Sequence, residues 1–567
     1  MKISDVEKIT GLTAKAIRLY EEKGLIAVDR QDNSYRDYNE DAVTRLKQIK
    51  LLRDIGVGIS EIILYFNKVI SLQELLNKRK KELEKESAVN QENYFACINM
   101  LDEIFVEDTI SRNKVVAISR NKTLIGIDIG TTTISAVVID AEKNVVLENY
   151  SVENNSKLAS DSDFSEHDVE IIMGKAKRIA EYLVKAYPNT LTIGVTGQMH
   201  GVLYLDKNGI SVSPLYNWQD GRGNRKLENN MTYCEQIEAL TGYKVHSGYG
   251  FSTLYYNKIN GLEPKEAETY CTVMDYVAMQ LGGRKTPLIH PTNAASLGLF
   301  NIHENCFDSS ALEKLGLNSL NIPEVALNDD VVGYFDKIPV VVAIGDNQAS
   351  FFGSVKQDNN ALVNFGTGSQ ISAIVDSFEK VNENLEIRPF LFGKYLICGS
   401  ALCGGKAYSI LEKFFSAFAN EITEGFGSAY EVMNSLAKKA YNEKQRLKVS
   451  TLFCGTRNNP DLRGSIADIT DENFTPQNLA LGFLQGMVDE LKTYFDYMKV
   501  DSVSGLTASG NAVQKNPVLR DLLKDTFDFE VSLTDSCEEA SIGAALYAGI
   551  SCEKINKEQI EEIIKYK

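Results

Sequence analysis

Hydrophobic and polar positions divide the chain into stretches of different period. Between residues 3 and 25 the apolar side chains fall at helical spacing in two short runs, Ile3, Val6 and Ile9, then Ala16, Leu19 and Leu25. This predicts two short amphipathic helices around a Gly-Leu-Thr turn, with Thr13 placed to cap the second. A polar hairpin follows, then a helix with Val43, Leu46, Ile49 and Leu52 at helical spacing. Leu76, Leu83, Asn90, Cys97 and Ile104 recur every seven residues, which predicts a long helix with an apolar seam. Near residue 124 the helical spacing gives way to strand-like apolar runs. LIGIDIGTTTISAVVID (124–140) reads as strand, tight turn, strand, with a carboxylate and three threonines at the turn. ALVNFGTGSQISAIVD (361–376) reads the same way, so the chain repeats itself about 236 residues later.

A length of 567 residues is too great for one core and predicts about three to four domains. Hydrophobic content of 44% and charged content of 24% are those of an ordinary globular protein. The net charge of −17 is unevenly spread: residues 1–100 hold roughly 17 basic and 16 acidic side chains, so the excess acid lies later. An acidic chain can still bind nucleic acid through one near-neutral module with a basic face. Nine cysteines without a CxxC pair predict reduced thiols. MKISDVEKIT is too charged for a signal peptide and no run approaches 18 apolar residues, so a cytoplasmic protein without a membrane segment is expected.

The two turns carry the first chemistry. Each offers consecutive backbone N–H groups and hydroxyls, the composition of an anion-binding nest. Asp128 adds a carboxylate, which cannot hold phosphate directly but can hold Mg²⁺ against it. One such hairpin is as easily a buried strand pair with a polar tip. Two echoing hairpins point to a clamp on a triphosphate.

Three further features are specific enough to name families. Arg18 and Tyr20 in the second helix, EEKGLI after it, and Asn33-Ser34-Tyr35-Arg36 leading to Tyr38 resemble the MerR family of winged helix-turn-helix regulators. The resemblance covers residues 1–70 and implies that Thr13, Arg18, Tyr20, Arg36 and Tyr38 face DNA. Residues 71–115 then correspond to a coiled-coil dimerisation helix and linker. A homodimer through that helix implies promoter double-stranded DNA with two-fold symmetry. The alternative for this segment is a solvated charged helix, since KRKKELEKE pairs internally.

The duplicated hairpins resemble the actin, Hsp70 and sugar kinase superfamily, α/β proteins in which two ribonuclease-H-like domains close over ATP. TGQMHGV, NWQDGRGN, NAASLG and AIGDNQASFF, in that order, look like the FGGY carbohydrate kinases, and most like their sedoheptulokinase branch. That implies an N-terminal kinase domain at 121–360 and a C-terminal one at 361–552. The general base falls on Asp346. Sugar contacts fall on Gln198, Met199, His200, Trp218, Asp220, Arg222 and Asn347. Phosphate and nucleotide contacts fall on Asp128, Gly130, Thr131 and Thr132, on Gly366, Thr367 and Gly368, and on Gly404, Gly405, Gly510 and Asn511, with ATP and Mg²⁺ as cofactors and Asp128 at the metal. Bland readings stand beside these: Asp346 as a helix cap, Trp218 as core, and Asp220 and Arg222 as a mutual pair.

The whole-chain expectation is an ATP-dependent kinase for a sedoheptulose- or xylulose-like ketose, fused to a DNA-binding module suited to regulating sugar-metabolism genes. The alternative is a sugar-responsive MerR-type regulator whose kinase fold acts mainly as an effector sensor. With Asp128, Thr131, Asp346 and both turns in place, the first reading is favoured.

Overall fold

The computed structural model describes residues 1, 3–26, 29–30, 36–67, a few positions between 71 and 79, and 121–567 except 162, 328–329, 423–426 and 536–537. The chain forms two compact units, residues 1–116 and 117–567.

In the first unit, helices Ile3–Thr10 and Ala14–Glu22 are joined through Gly11. Thr13 caps the second helix, its Oγ1 accepting from the Ala16 N–H at 3.3 Å. Strands Asp29–Arg30 and Arg36–Asp37 pair antiparallel, and helices Glu40–Asp54 and Ile59–Phe66 follow. Val43, Leu46, Ile49 and Leu52 all bury, as their spacing predicts. The first two helices differ from expectation: Ile9 and Leu19 are exposed, whereas Val6, Ile17 and Tyr20 form the core. A strict three-residue spacing drifts around a 3.6-residue helix, so Val6 shares its face with Thr10, not Ile9. The wing turn 33–35, the side chain of Arg36 and the seven-residue repeat from Leu83 to Ile104 lie outside the described residues.

The second unit contains the repeat as architecture. In its first half, strand Thr123–Ile129 pairs antiparallel with Thr133–Asp140, which pairs antiparallel with Val145–Glu153. On its other side it pairs parallel with Thr190–Gly197, beyond which lie Ile338–Val341 and Ile344–Gly345, also parallel. In the second half, Asn360–Phe365 pairs antiparallel with Ser369–Val375 and that with Tyr395–Ala401, while Gly505–Ser509 and then Val531–Leu533 add in parallel. These five strands keep one order and direction in both sheets, while an extra antiparallel strand closes opposite ends, Val331–Phe335 on Ile338–Val341 in the first and Glu386–Pro389 on Tyr395–Ala401 in the second. Each fifth strand leads into a helix, Asp346–Ser354 in one half and Glu539–Ser551 in the other.

Those two helices pack on each other. A Cβ on Gly353 would lie 2.1 Å from the Glu539 carbonyl oxygen, and one on Gly543 would lie 1.9 Å from that of Ala349. Helix Glu539–Ser551 also lies on the first sheet, where a Cβ on Gly126 or Gly194 would strike its backbone at 1.9 or 2.0 Å. Within the expected 361–552 domain, this helix therefore packs on the first sheet. Its apolar face, with Ile542, Ala545 and Leu546, is buried with Leu124, Val137 and Ile139 of the first sheet. Among the described residues no helix is long and apolar enough to cross a membrane.

Candidate active site

The opening between the halves is set by strand ends. Asp128 stands at the end of the central strand of the first sheet, where the chain turns through Gly130, Thr131 and Thr132. Asp346 is the first residue of its helix, directly after strand Ile344–Gly345. In the second half the turn Gly366-Thr367-Gly368 closes its hairpin with a bond from the Gly366 N–H to the Gly368 carbonyl (2.9 Å). A cavity of about 550 Å³ brings together Asp128, Asp346, Asn347 and Gly366 to Ser369, with Arg457 at its edge. That volume suits a nucleotide-sized ligand.

Two buried carboxyls set the electrostatics of this cavity. Burial pushes the Asp346 carboxyl up to about 6. Burial, followed by the nearby charges of Asp346 and Glu538, pushes Asp128 up to about 8. Asp128 Oδ1 is buried with no hydrogen-bond partner. Among the described residues no three His, Cys, Asp or Glu side chains converge as a metal cage. A donor set of one or two carboxylates fits Mg²⁺, which fills its octahedron with waters and phosphate oxygens.

A second cavity of about 280 Å³ is lined by Met199, His200, His246 and Tyr249 from the first half and by Arg388 and Arg457 from the second. His200 holds φ +74, stacks on Tyr249 (centroids 4.3 Å apart) and donates from Nδ1 to the Ser296 carbonyl at 2.8 Å. Burial, aided by the Arg388 charge, pushes its pKa down to about 3, so the ring is neutral and Nε2 is an acceptor.

Residues 123–353 match the N-terminal domain of the FGGY family of carbohydrate kinases, and residues 1–68 the MerR HTH family of regulatory proteins. Residues 123–353 belong to the FGGY kinases. The chain is 27% identical over 476 residues to the sedoheptulokinase of Mus musculus, covering 76% of this chain and 97% of that protein. It is 23% identical over 461 residues to a xylulose kinase of Staphylococcus xylosus, covering 76% and 92%. The fold is that of the xylulose kinase of Rhodospirillum rubrum, with a TM-score of 0.68 at 19% identity over 79% of this chain and 93% of that one. The protein is thus an ATP-dependent sugar kinase with a MerR-type helix-turn-helix ahead of it.

The residues expected at the site divide. Asp128, Asp346, Asn347, Gly366, Thr367 and Gly368 line the first cavity and Met199 and His200 the second. Trp218 is half-exposed, and its Nε1 donates to Thr131 Oγ1 at 3.0 Å. Thr131 in turn donates to Gln198 Oε1 at 3.2 Å, so three expected residues form one chain over the Gly130-Thr131-Thr132 turn. Gly130 supplies the carbonyl that Asn154 Nδ2 bonds at 2.7 Å, and Thr132 is exposed beside it.

Several expectations are corrected. Asp220 and Arg222 are buried and turned inward. Asp220 accepts from the Ser165 and Arg222 N–H groups, while Arg222 reaches Glu166 and Asn257 and lies 4.2 Å from the ring centroids of both Phe164 and Tyr216. The two form a buried ion pair, with Arg222 Nε left without a hydrogen bond, and neither lines the two cavities above. Gly404 and Gly405 line neither cavity; Cβ atoms there would meet Ser369 Oγ at 2.0 Å and the Gly366 carbonyl at 2.6 Å. Their bareness lets helix Gly404–Ile422 close on the Gly366-Thr367-Gly368 turn. Gly510 (φ +97) packs against the Phe365 backbone, and Asn511 is exposed beside it. In the MerR-type unit Tyr20 and Tyr38 are 6% and 1% exposed, so both rings are core side chains, while Thr13 and Arg18 are exposed.

Sequence reading missed Arg388, Glu386 and Arg457. Arg388 donates to Asn347 Oδ1 at 3.1 Å and to Glu386, and Arg457 pairs with the same Glu386. Their local sequences, EIRPF and GTRNN, carry no motif that marks a site.

Proposed function

We propose that the protein phosphorylates a ketose of the sedoheptulose or xylulose kind, with Asp346 as general base. The observation that carries this reading is the convergence of Asp346 on both sides of the reaction. It shares one cavity with the Gly-Thr-Gly phosphate turn, and its neighbour Asn347 is held by Arg388, which lines the other. A carboxyl raised to about 6 can accept the proton of an attacking hydroxyl near neutral pH. His200 Nε2 and the Arg388 guanidinium offer an acceptor and a donor fork for sugar hydroxyls. Trp218 offers a flat apolar face beside the phosphate turn. Asp128, with Asp346 opposite, would hold Mg²⁺, whose chemistry is to draw charge from the phosphates. The remaining specificity comes from positioning, since phosphoryl transfer asks little covalent chemistry of the protein.

ADP release from ATP over a panel of ketoses and polyols tests this. Release is expected with ketoses only and is abolished by chelating Mg²⁺. Because the base must be ionised, kcat/KM is expected to fall tenfold per pH unit below about 6 and to level off above it. Silence with every sugar, alongside measurable sugar binding, would favour the sensor-regulator reading instead.

The N-terminal unit, in the same proposal, binds two-fold symmetric promoter DNA as a homodimer held by residues 71–115, in a cytoplasmic protein. Its family match and the exposed Arg18 on the second helix support this. Arg18→Ala is expected to weaken operator binding by roughly 1–3 kcal/mol, read by fluorescence anisotropy, with kinase activity unchanged. Unaltered operator affinity would count against the DNA reading.

A further inference from the structure

Both phosphate turns lack positive charge. From Asp128 to Val138 the first hairpin holds no lysine or arginine, and from Phe365 to Val375 neither does the second. The cavity between them contains two carboxylates whose charges oppose each other. Among its described lining residues one is basic, Arg457. The same residue lines the sugar-side cavity, and it is the one residue common to the two described linings. Lys406 lies near the second turn, with its N–H on the Thr367 carbonyl, but lines neither cavity.

Arg457 sits in the loop between strands Lys448–Ser450 and Ser465–Ala467, which pair antiparallel. Gly455 (φ +66) turns the chain just before it, and the Thr456 N–H bonds the Asn459 carbonyl at 2.9 Å just after. The side chain is 38% exposed and pairs with Glu386. Glu386 holds Arg388 as well. If Arg457 leaves, Glu386 keeps a guanidinium partner, so no carboxylate is stranded. That makes Arg457 the exchangeable member of the triad, whereas Arg388 is fixed by Asn347.

The phosphoryl group leaves the nucleotide side and arrives at the sugar side, so it passes the place where the two cavities meet. Its three equatorial oxygens carry most of the charge in flight, and a guanidinium presents donors in a fork that matches them. We propose that Arg457 is the catalytic cation of this kinase, exchanging Glu386 for the oxygens of the transferring phosphoryl group when sugar and nucleotide are both bound. The proposal rests on the kinase reading of the same site and adds a residue to it.

The test uses the full-length chain with Arg457→Ala and Arg457→Lys. Sugar-dependent ADP release by Arg457→Ala is expected to fall about 10³-fold in kcat, as for loss of an arginine finger. KM for sugar and nucleotide should stay within about threefold, because the interaction forms in the transition state. Free guanidinium should restore part of the rate to Arg457→Ala and none to Asp346→Asn. Affinity for ADP with aluminium fluoride and sugar should drop in step with kcat, while affinity for ADP alone holds. A purely structural arginine would raise KM, lower the unfolding temperature and ignore added guanidinium, and that pattern overturns the proposal. So does an Arg457→Ala enzyme within tenfold of the wild-type kcat. A wild type silent on every sugar removes the kinase reading and this proposal together, whereas an active wild type with an active Arg457→Ala removes this proposal alone.

Discussion

Asp346→Asn is expected to lower kcat about 10²- to 10⁴-fold, with little change in sugar or nucleotide affinity, in the steady-state assay. Asparagine has the shape of aspartate and can occupy the same first helical position, so helix Asp346–Ser354 and its packing should survive. What it cannot do is take a proton. The wild-type carboxyl is held near 6 by burial, opposed by backbone N–H groups at the helix start and by the Arg388 charge. It is therefore ionised at neutral pH yet basic enough to accept the sugar proton as the bond forms. The variant should lose the acid limb near pH 6 along with the rate, because the carboxyl that sets it is gone. More than a tenth of the wild-type rate in Asp346→Asn, or an acid limb that persists, would assign the proton to another acceptor.

Gly543→Ala is expected to destabilise the kinase unit by about 1–3 kcal/mol, measured by chemical unfolding of the full chain. Helix propensity alone predicts the opposite sign, since replacing a helical glycine by alanine ordinarily stabilises by about 0.4–1 kcal/mol. Here the new methyl would lie 1.9 Å from the Ala349 carbonyl oxygen and 2.6 Å from its carbon, and backbone atoms cannot step aside as a side chain can. The same helix is pressed from the other side by Gly126 and Gly194 of the first sheet, so it has nowhere to retreat. Function should suffer with stability. Ala540 of this helix lines the cavity that holds Asp128 and Asp346, and its partner helix begins at Asp346. A stabilised Gly543→Ala would mean that the two helices do not pack this closely.

How much of this could be read along the chain depends on the distance over which each feature is set. Both Gly-Thr hairpins were legible because a hairpin is local: alternation places the strands, and glycine with threonine marks the turn between them. Asp128 and Asp346 were legible for the same reason, each at the end of an apolar strand. The Asp220–Arg222 pair shows the limit. Two charges beside a tryptophan look available in sequence, and only the surrounding Phe164, Tyr216, Glu166 and Asn257 show that they are spent. Tyr20 and Tyr38 fail similarly, since a tyrosine suits a phosphate contact and a small core equally well, and burial decides between them.

The sequence by itself determined the two-part organisation, the duplicated hairpins, the family resemblances and the carboxylate at the first Gly-Thr turn. These are set by residue type and short-range period, which survive any rearrangement of the rest. Tertiary structure alone decided that helix Glu539–Ser551 returns to the first sheet, and that Arg388, Glu386 and Arg457 meet beside Asn347. The physical reason is that such contacts join residues scores of positions apart in segments with no period of their own. Their geometry follows from how two twisted sheets and the glycine-paired helices between them pack, and no local stretch of chain encodes that.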